Sequence, residues 1–272
     1  MKEHITIIDS NPPTLAQYWQ KMVQYRSLIW VFAWQEITVL YKQTRLGLLW
    51  AVLRPLTILI VFSILFKTLL KVETNSPYYL FAFTGIIAWN LFSNIVSTAS
   101  TAILNRQDLI RKMYFPKLVL PLSKILVAGV EFLISLVIIF GMILVEGVQI
   151  HWGILILPIF IFINVCTGLA VAVWMSALTV RFRDLHQIVP PLVGMGIWLT
   201  PVFYPTTIIP SQYQFVLWLN PMAGVIKGFR FALLGEPFPE WQFFISMSGI
   251  VVVVFLGIWY LIRVEDEMAD LL

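Results

Sequence analysis

Leu118–Val145 reads LVLPLSKILVAGVEFLISLVIIFGMILV, twenty-eight residues interrupted by only two charges, Lys124 and Glu131. About 20 apolar residues carry a helix across the hydrocarbon core of a bilayer, so this stretch is long enough to span. It is not alone. Apolar residues form 60% of the 272-residue chain and charged residues 12%, about half the charge of an ordinary soluble domain. The fold class that follows is an all-α integral membrane protein.

Further spans are expected on both sides of this one, at about 48–70, 79–104, 154–180, 188–204 and 243–262, which makes six with 118–145. The first contains Arg54-Pro55, whose guanidinium must snorkel or find a partner. The chain starts with a polar lead-in, 1–25, holding the turn-rich SNPPT at 10–14. It ends in a charged tail, 263–272. No cleavable signal peptide is expected, because the first apolar run (SLIWVFAW, 27–34) starts late and meets Gln35 and Glu36. The lone cysteine, Cys166, has no internal disulfide partner.

Two segments fall outside the simple pattern. In RSLIWVFAWQEITVLYKQTRLG (26–47), Trp30, Trp34, Ile37 and Tyr41 fall on one helical face. Gln35, Thr38, Lys42 and Arg45 fall on an adjacent one, which reads as a helix lying in the interface. Residues 205–241 read as two short helices hinged at Asn220-Pro221, with Ser211 as N-cap of the first and Gly235 as the stop of the second. Neither half is long enough to span, so a re-entrant hairpin buried against protein is expected; one or two weakly apolar spans is the competing reading. With the N-terminus in the cytoplasm, the lead-in, the 103–121 connector, RFRDLHQ and the tail share most of the lysines and arginines on the inner side. That distribution favours both termini inside.

Enzyme motifs are missing: no HExxH, no GxSxG, no intramembrane aspartate pair and no phosphate-binding GxxxxGK[ST]. His4, His151 and His186 are widely separated. No metal site and no nucleic-acid partner are expected. Glu131 is the only carboxylate near the middle of a predicted span, which makes it either functional or a structural acid that is protonated or hydrogen-bonded to a neighbouring helix. On the second span Asn90, Asn94, Ser97 and Thr101 recur at helical spacing, and Phe81, Gly85, Trp89 and Phe92 form another stripe. A polar stripe there faces protein or water: either helix–helix hydrogen bonding or the wall of a conduit.

The connector ILNRQDLIRKMYFPKLVLP, 103–121, packs Arg106, Arg111, Lys112 and Lys117 around Asp108. It reads as a short helix with Asn105 as N-cap, Asp108 in the first turn and Arg111 and Lys112 in the last, as the helix dipole favours. Met113 and Tyr114 supply apolar contacts, and Phe115-Pro116 ends the helix. Anionic lipid and a cytoplasmic protein are both open as its partner.

Four stretches, YKQTRLGLLWAVLRPL (41–56), NRQDLIRKMYFPKLVLPLS (105–123), RFRDL (181–185) and NPMAGVIKGFR (220–230), occur in that order. Together they resemble the membrane-spanning subunits of polysaccharide-exporting ABC transporters, the O-antigen, capsule and teichoic-acid export group. The resemblance covers about 26–262. It implies a homodimeric permease in a bacterial plasma (inner) membrane, exporting a polyprenyl-diphosphate-linked polysaccharide. No cofactor belongs to this chain; ATP and Mg would be bound by a separate cytoplasmic ATPase subunit. The resemblance also implies roles: 105–114 (Asn105, Asp108, Arg111, Lys112, Met113, Tyr114) as the coupling helix that docks on the ATPase, and 26–46 as an interface helix. Residues 206–235, with Pro210, Asn220, Pro221 and Arg230, would gate the exit. Phe81, Trp89, Asn90, Phe92, Asn94, Ser97, Thr101 and Glu131 would line the channel. Arg26, Lys42, Arg45 and Arg54 would meet the lipid diphosphate. The rival readings are an ABC exporter of drugs or small lipids and an ion-coupled secondary transporter or channel.

Overall fold

A computed structural model describes residues 15–42, 47, 49–69, 71, 73–149 and 151–271, without the side chains of 68, 69, 266, 267 and 269–271. Helices account for all the regular structure among the described residues: α1 (Leu15–Gln24), α2 (Arg26–Lys42), α3 (Leu49–Phe62, continued as a π-helical turn over Ser63–Leu69), α4 (Tyr78–Ala99), α5 (Gln107–Lys112), α6 (Val119–Glu146), α7 (Leu157–Arg181), α8 (Leu185–Leu199), α9 (Gln214–Trp218), α10 (Pro221–Leu234) and α11 (Trp241–Leu271), with short 3-10 turns between some of them.

Five of these segments are long and apolar enough to cross a membrane: Leu49–Lys67, Tyr78–Ala99, Val119–Glu146, Trp152–Arg181 and Trp241–Glu265. The segment expected as a span at 188–204 is shorter than that. Helix α8 has 15 residues, about 22 Å of rise against a hydrocarbon core about 30 Å thick. Pro190 and Pro191 lie inside it, and Pro201 and Pro205 keep the chain beyond Leu199 from continuing as helix. Thr200–Phe203 fold inward as a buried turn.

Helix α4 is the central pillar. Phe81–Trp89 is buried without interruption, and α4 packs on α3, α6, α7, α8 and α10. Small residues permit this: a Cβ on Gly85 would lie 2.7 Å from the Val202 carbonyl oxygen. Asn164 of α7 donates to the Ala88 carbonyl at 2.9 Å and fixes the two helices in register. The outer spans leave broad apolar faces exposed, with Ile60 and Val61 on α3, Val137 and Leu144 on α6, and Val251 and Phe255 on α11.

Helix α10 is the most enclosed of the short elements, buried over most of Met222–Leu233. Asn220 caps it by accepting from the Met222 N–H at 3.0 Å, Pro221 follows at the first helical position, and Gly235 closes it at φ 69°. Its preceding segment is a 3-10 turn, Ser211–Tyr213, running into α9. Pro210 precedes that turn, and Ser211 lies within it instead of capping it. Gly228 faces Phe160 so closely that a Cβ would lie 2.2 Å from the ring. Gly228→Ala is therefore expected to overpack the α7–α10 contact and destabilise by about 1–3 kcal/mol. A lowered melting temperature of the purified protein checks this.

Both ends of the chain are more structured than a polar lead-in and a charged tail suggest. Helix α1 buries Tyr18 and Met22, and α11 runs on through the tail with Glu265 and Met268 buried. The Tyr18 hydroxyl donates to Glu265 at 2.7 Å, and the Lys117 N–H donates to the same carboxylate at 3.3 Å. Burial, followed by the Glu265 charge, holds the Tyr18 phenol well above its ordinary pKa. Residues 1–14 of the lead-in lie outside the described residues.

Candidate functional site

The 103–121 connector forms the helix expected of it, with one difference at its start. Asp108 sits in the first turn of α5, and Arg111 and Lys112 in the last. Asn105 is not the N-cap. It belongs to a 3-10 turn, Leu104–Arg106, which leads directly into α5, and Arg106 stands at the boundary. The Asn105 amide donates to the Thr101 hydroxyl at 3.2 Å instead. Extended backbone at Met113 (φ −138°, ψ 134°) ends the helix before Phe115-Pro116.

This short helix has a rigid base. Ile110 and Phe115 are buried, and Phe115 packs on Phe32 of α2, with ring centroids 5.9 Å apart. Arg106 lies over the Phe32 ring and donates to Gln35 at 3.1 Å. Lys117 is buried, its ammonium over both Tyr114 and Phe115. What remains outside is a compact exposed patch: Asp108, Arg111, Lys112, Met113 and Tyr114.

From here α2 runs alongside α6. Glu36 pairs with Lys124 at 2.5 Å, and about two turns further along α6 the Tyr41 hydroxyl donates to Glu131 at 3.3 Å. Tyr41 thus faces α6, whereas Trp30 and Trp34 stay exposed, stacked on one another at 6.3 Å. The partners of Lys124 and Glu131 lie on a helix about ninety residues earlier, which no local spacing reveals.

Glu131 also accepts from the Asn94 amide at 2.7 Å. Around it lies a cavity of about 130 Å³, walled by Arg54, Asn90, Asn94, Glu131 and Ser135 together with apolar residues of α3, α4 and α6. The polar stripe of α4 thereby divides: Asn90 and Asn94 reach the cavity, while Ser97 and Thr101 are half-buried nearer the connector. The aromatic stripe lies elsewhere. Trp89 is buried with Phe92 beside it at 5.2 Å, and Phe81 is enclosed beneath Arg230.

Arg230, given a gate role by the resemblance, is fully buried. Its guanidinium lies 3.4 Å from the centre of the Phe81 ring and donates to the carbonyls of Val202 at 2.7 Å and Phe81 at 3.4 Å. Asn220 ties the same region together by donating to the Thr200 hydroxyl at 2.9 Å. Asn220→Ala removes that bond and the α10 cap, an expected loss of about 1 kcal/mol that a thermal melt reads. Pro210 is exposed and Pro221 half-buried. Arg26 and Lys42 are exposed at the two ends of α2, and Arg45 lies outside the described residues. A larger apolar groove of about 750 Å³ runs between α7, α9 and α11 and includes Trp218, Trp241 and Gln242.

Residues 27–234 match the ABC-2 type transporter family, and the chain belongs to it. It is similar to the O-antigen export system permease protein RfbA of Myxococcus xanthus, 29% identical over 238 residues, covering 86% of this chain and 91% of the relative. Two proteins of the same name from Klebsiella pneumoniae are 26% and 25% identical over 250 residues, covering 90% of this chain and 95% of each relative.

Proposed function

We propose that this ABC-2 type membrane chain is the permease subunit of an ATP-driven exporter of a polyprenyl-diphosphate-linked, O-antigen-like polysaccharide. It acts as a homodimer in a bacterial plasma membrane, with both termini cytoplasmic and with α8 and its buried turn counted as a sixth crossing. A separate ATPase subunit binds ATP and Mg. The observation that carries this reading is the connector patch: a short basic helix with exposed Met113 and Tyr114, held on a buried base of Ile110, Phe115 and Lys117. A loop that only reverses the chain needs no such base. A surface that receives force from a partner does, because a loosely held lever dissipates the motion it receives.

The contacts above α5 give the force a route. Arg106 and Phe115 join the connector to α2, and α2 reaches the membrane core through Glu36–Lys124 and Tyr41–Glu131–Asn94. Movement of the connector therefore reaches α6 and α4, which carry the candidate channel residues Asn90, Asn94, Ser97 and Glu131, with Thr101 in the turn just after α4. The α9–α10 segment, pinned by Asn220 and Arg230, forms the outer gate. Arg26 and Lys42 attract the diphosphate at the cytoplasmic surface. Arg54 is set apart from them, because Glu131 stands on the wall of the same cavity.

Export from a cell lacking this chain tests the reading. Lipid-linked glycan is expected to accumulate on the cytoplasmic side and to reach the surface when the gene is restored. Unchanged surface glycan in the deletion strain contradicts it.

A further inference from the structure

The cavity between α3, α4 and α6 has a charge arrangement that a channel wall alone does not explain. Arg54 and Glu131 line it together yet form no ion pair with each other. The side chains of Arg54 and Asn90 make no hydrogen bond or ion pair with any described residue. Glu131 accepts from Asn94 and Tyr41, which uses about half of a carboxylate's acceptor sites. Opposite charges held apart in a membrane protein are costly unless something satisfies each of them.

The chemistry of the occupant follows by elimination. A simple anion suits Arg54 but meets the Glu131 carboxylate. A simple cation reverses the problem. A neutral sugar satisfies the hydrogen bonds and leaves both charges uncompensated. A zwitterion satisfies all of them. The volume, about 130 Å³, is far above the roughly 10–15 Å³ that one water requires, so a small headgroup has room.

We propose that this cavity binds the phosphoethanolamine headgroup of a membrane phospholipid, with the phosphate on Arg54 and Asn90 and the ammonium on Glu131. Access is along the exposed face of α3. Arg54 is itself exposed on α3, beside the exposed Leu53, Thr57 and Ile60, which offer an apolar surface to the acyl chains. It lies five residues into the helix, about 8 Å from its start, within reach of the headgroup layer for a snorkelling side chain. A choline headgroup fits less well, because its methylated nitrogen has no proton to donate to Glu131. A headgroup lodged here would touch three helices at the point where α2 meets the core.

The experiment reads lipid directly and requires neither an ATPase nor a glycan, so it stands apart from the transport reading. The full-length protein is reconstituted into nanodiscs of mixed phosphatidylethanolamine, phosphatidylcholine and phosphatidylglycerol, and retained lipids are weighed by native mass spectrometry. Wild type is expected to retain phosphatidylethanolamine over the other two by about fivefold, just under ~1 kcal/mol at about 1.4 kcal/mol per tenfold. Glu131→Gln should erase the preference over phosphatidylglycerol, and Arg54→Gln should release the lipid. Asn90→Leu fills the cavity without breaking any protein bond, so its loss of lipid is separable from misfolding. Equal retention of the three lipids by wild type overturns the proposal, as does a preference unchanged in both Glu131→Gln and Asn90→Leu. Disulfide crosslinking of Asn90→Cys between two copies in a Cys166→Ala background assigns the cavity to a protein contact and overturns it too.

Discussion

Replacing Arg230 with alanine is expected to remove about 3–6 kcal/mol of stability and most of the recoverable folded protein. The side chain is enclosed at the meeting point of three parts of the chain: α10, the start of α4, and the turn after α8. Its guanidinium supplies the donors that the Val202 and Phe81 carbonyls receive from it, and covers the Phe81 ring. Without it, two buried acceptors lose these donors, at about 1–3 kcal/mol each, and a large cavity opens. Gly85 belongs to the same construction: a Cβ there would lie 3.1 Å from the guanidinium nitrogen and closer still to Val202. Arg230→Lys retains the charge but not the planar, stacked donor set, so it should recover only part of the loss. Thermal unfolding followed by size-exclusion chromatography reads the series, and a melting temperature of Arg230→Ala equal to wild type contradicts the account.

The second large effect lies on the connector. The double variant Arg111→Glu, Lys112→Glu is expected to reduce co-purification of the ATPase subunit at least tenfold, about 1.4 kcal/mol of binding. Both side chains are exposed at the end of α5, where two added carboxylates also oppose the helix dipole. Met113→Ala with Tyr114→Ala should weaken the same contact without altering charge. Lys117 gives the contrast. It is buried between two rings, so its loss should disturb the base of the connector and lower stability first. Undiminished co-purification with the double charge reversal removes α5 from the docking surface.

What was legible in the sequence was governed by distance along the chain. Long apolar runs announce themselves, and Leu118–Val145 appears as α6 within one residue at each end. Local signals were enough for the break at Asn220-Pro221 and the stop at Gly235, though not for Asn220 as the cap of α10 or for Ser211, which lies within a 3-10 turn. They failed at Asn105, because the chain is already turning as a 3-10 helix before α5, so no free helix end exists there to cap. Apolar composition made 188–204 read as a span in spite of its prolines, and could not place the turn after Leu199 inside the core. Pairings were hidden for the same reason. Glu36 with Lys124, and Tyr41 with Glu131, join α2 to α6 across about ninety residues, and Arg230 meets the Phe81 carbonyl from even further along the chain. The candidate site was half visible: Asn90, Asn94 and Glu131 were identifiable as polar residues in spans, but Arg54 joins them only through the packing of α3 on α4 and α6.

The measurement closest to the central claim uses proteoliposomes that contain this chain, its ATPase partner and a lipid-linked oligosaccharide. The account predicts that adding ATP and Mg on the ATPase side moves the glycan to the opposite leaflet, where a membrane-impermeant glycosidase cleaves it. It predicts no movement when either subunit is omitted. Glycan that stays inaccessible while the complete complex hydrolyses ATP would contradict the assignment of this chain as a polysaccharide permease.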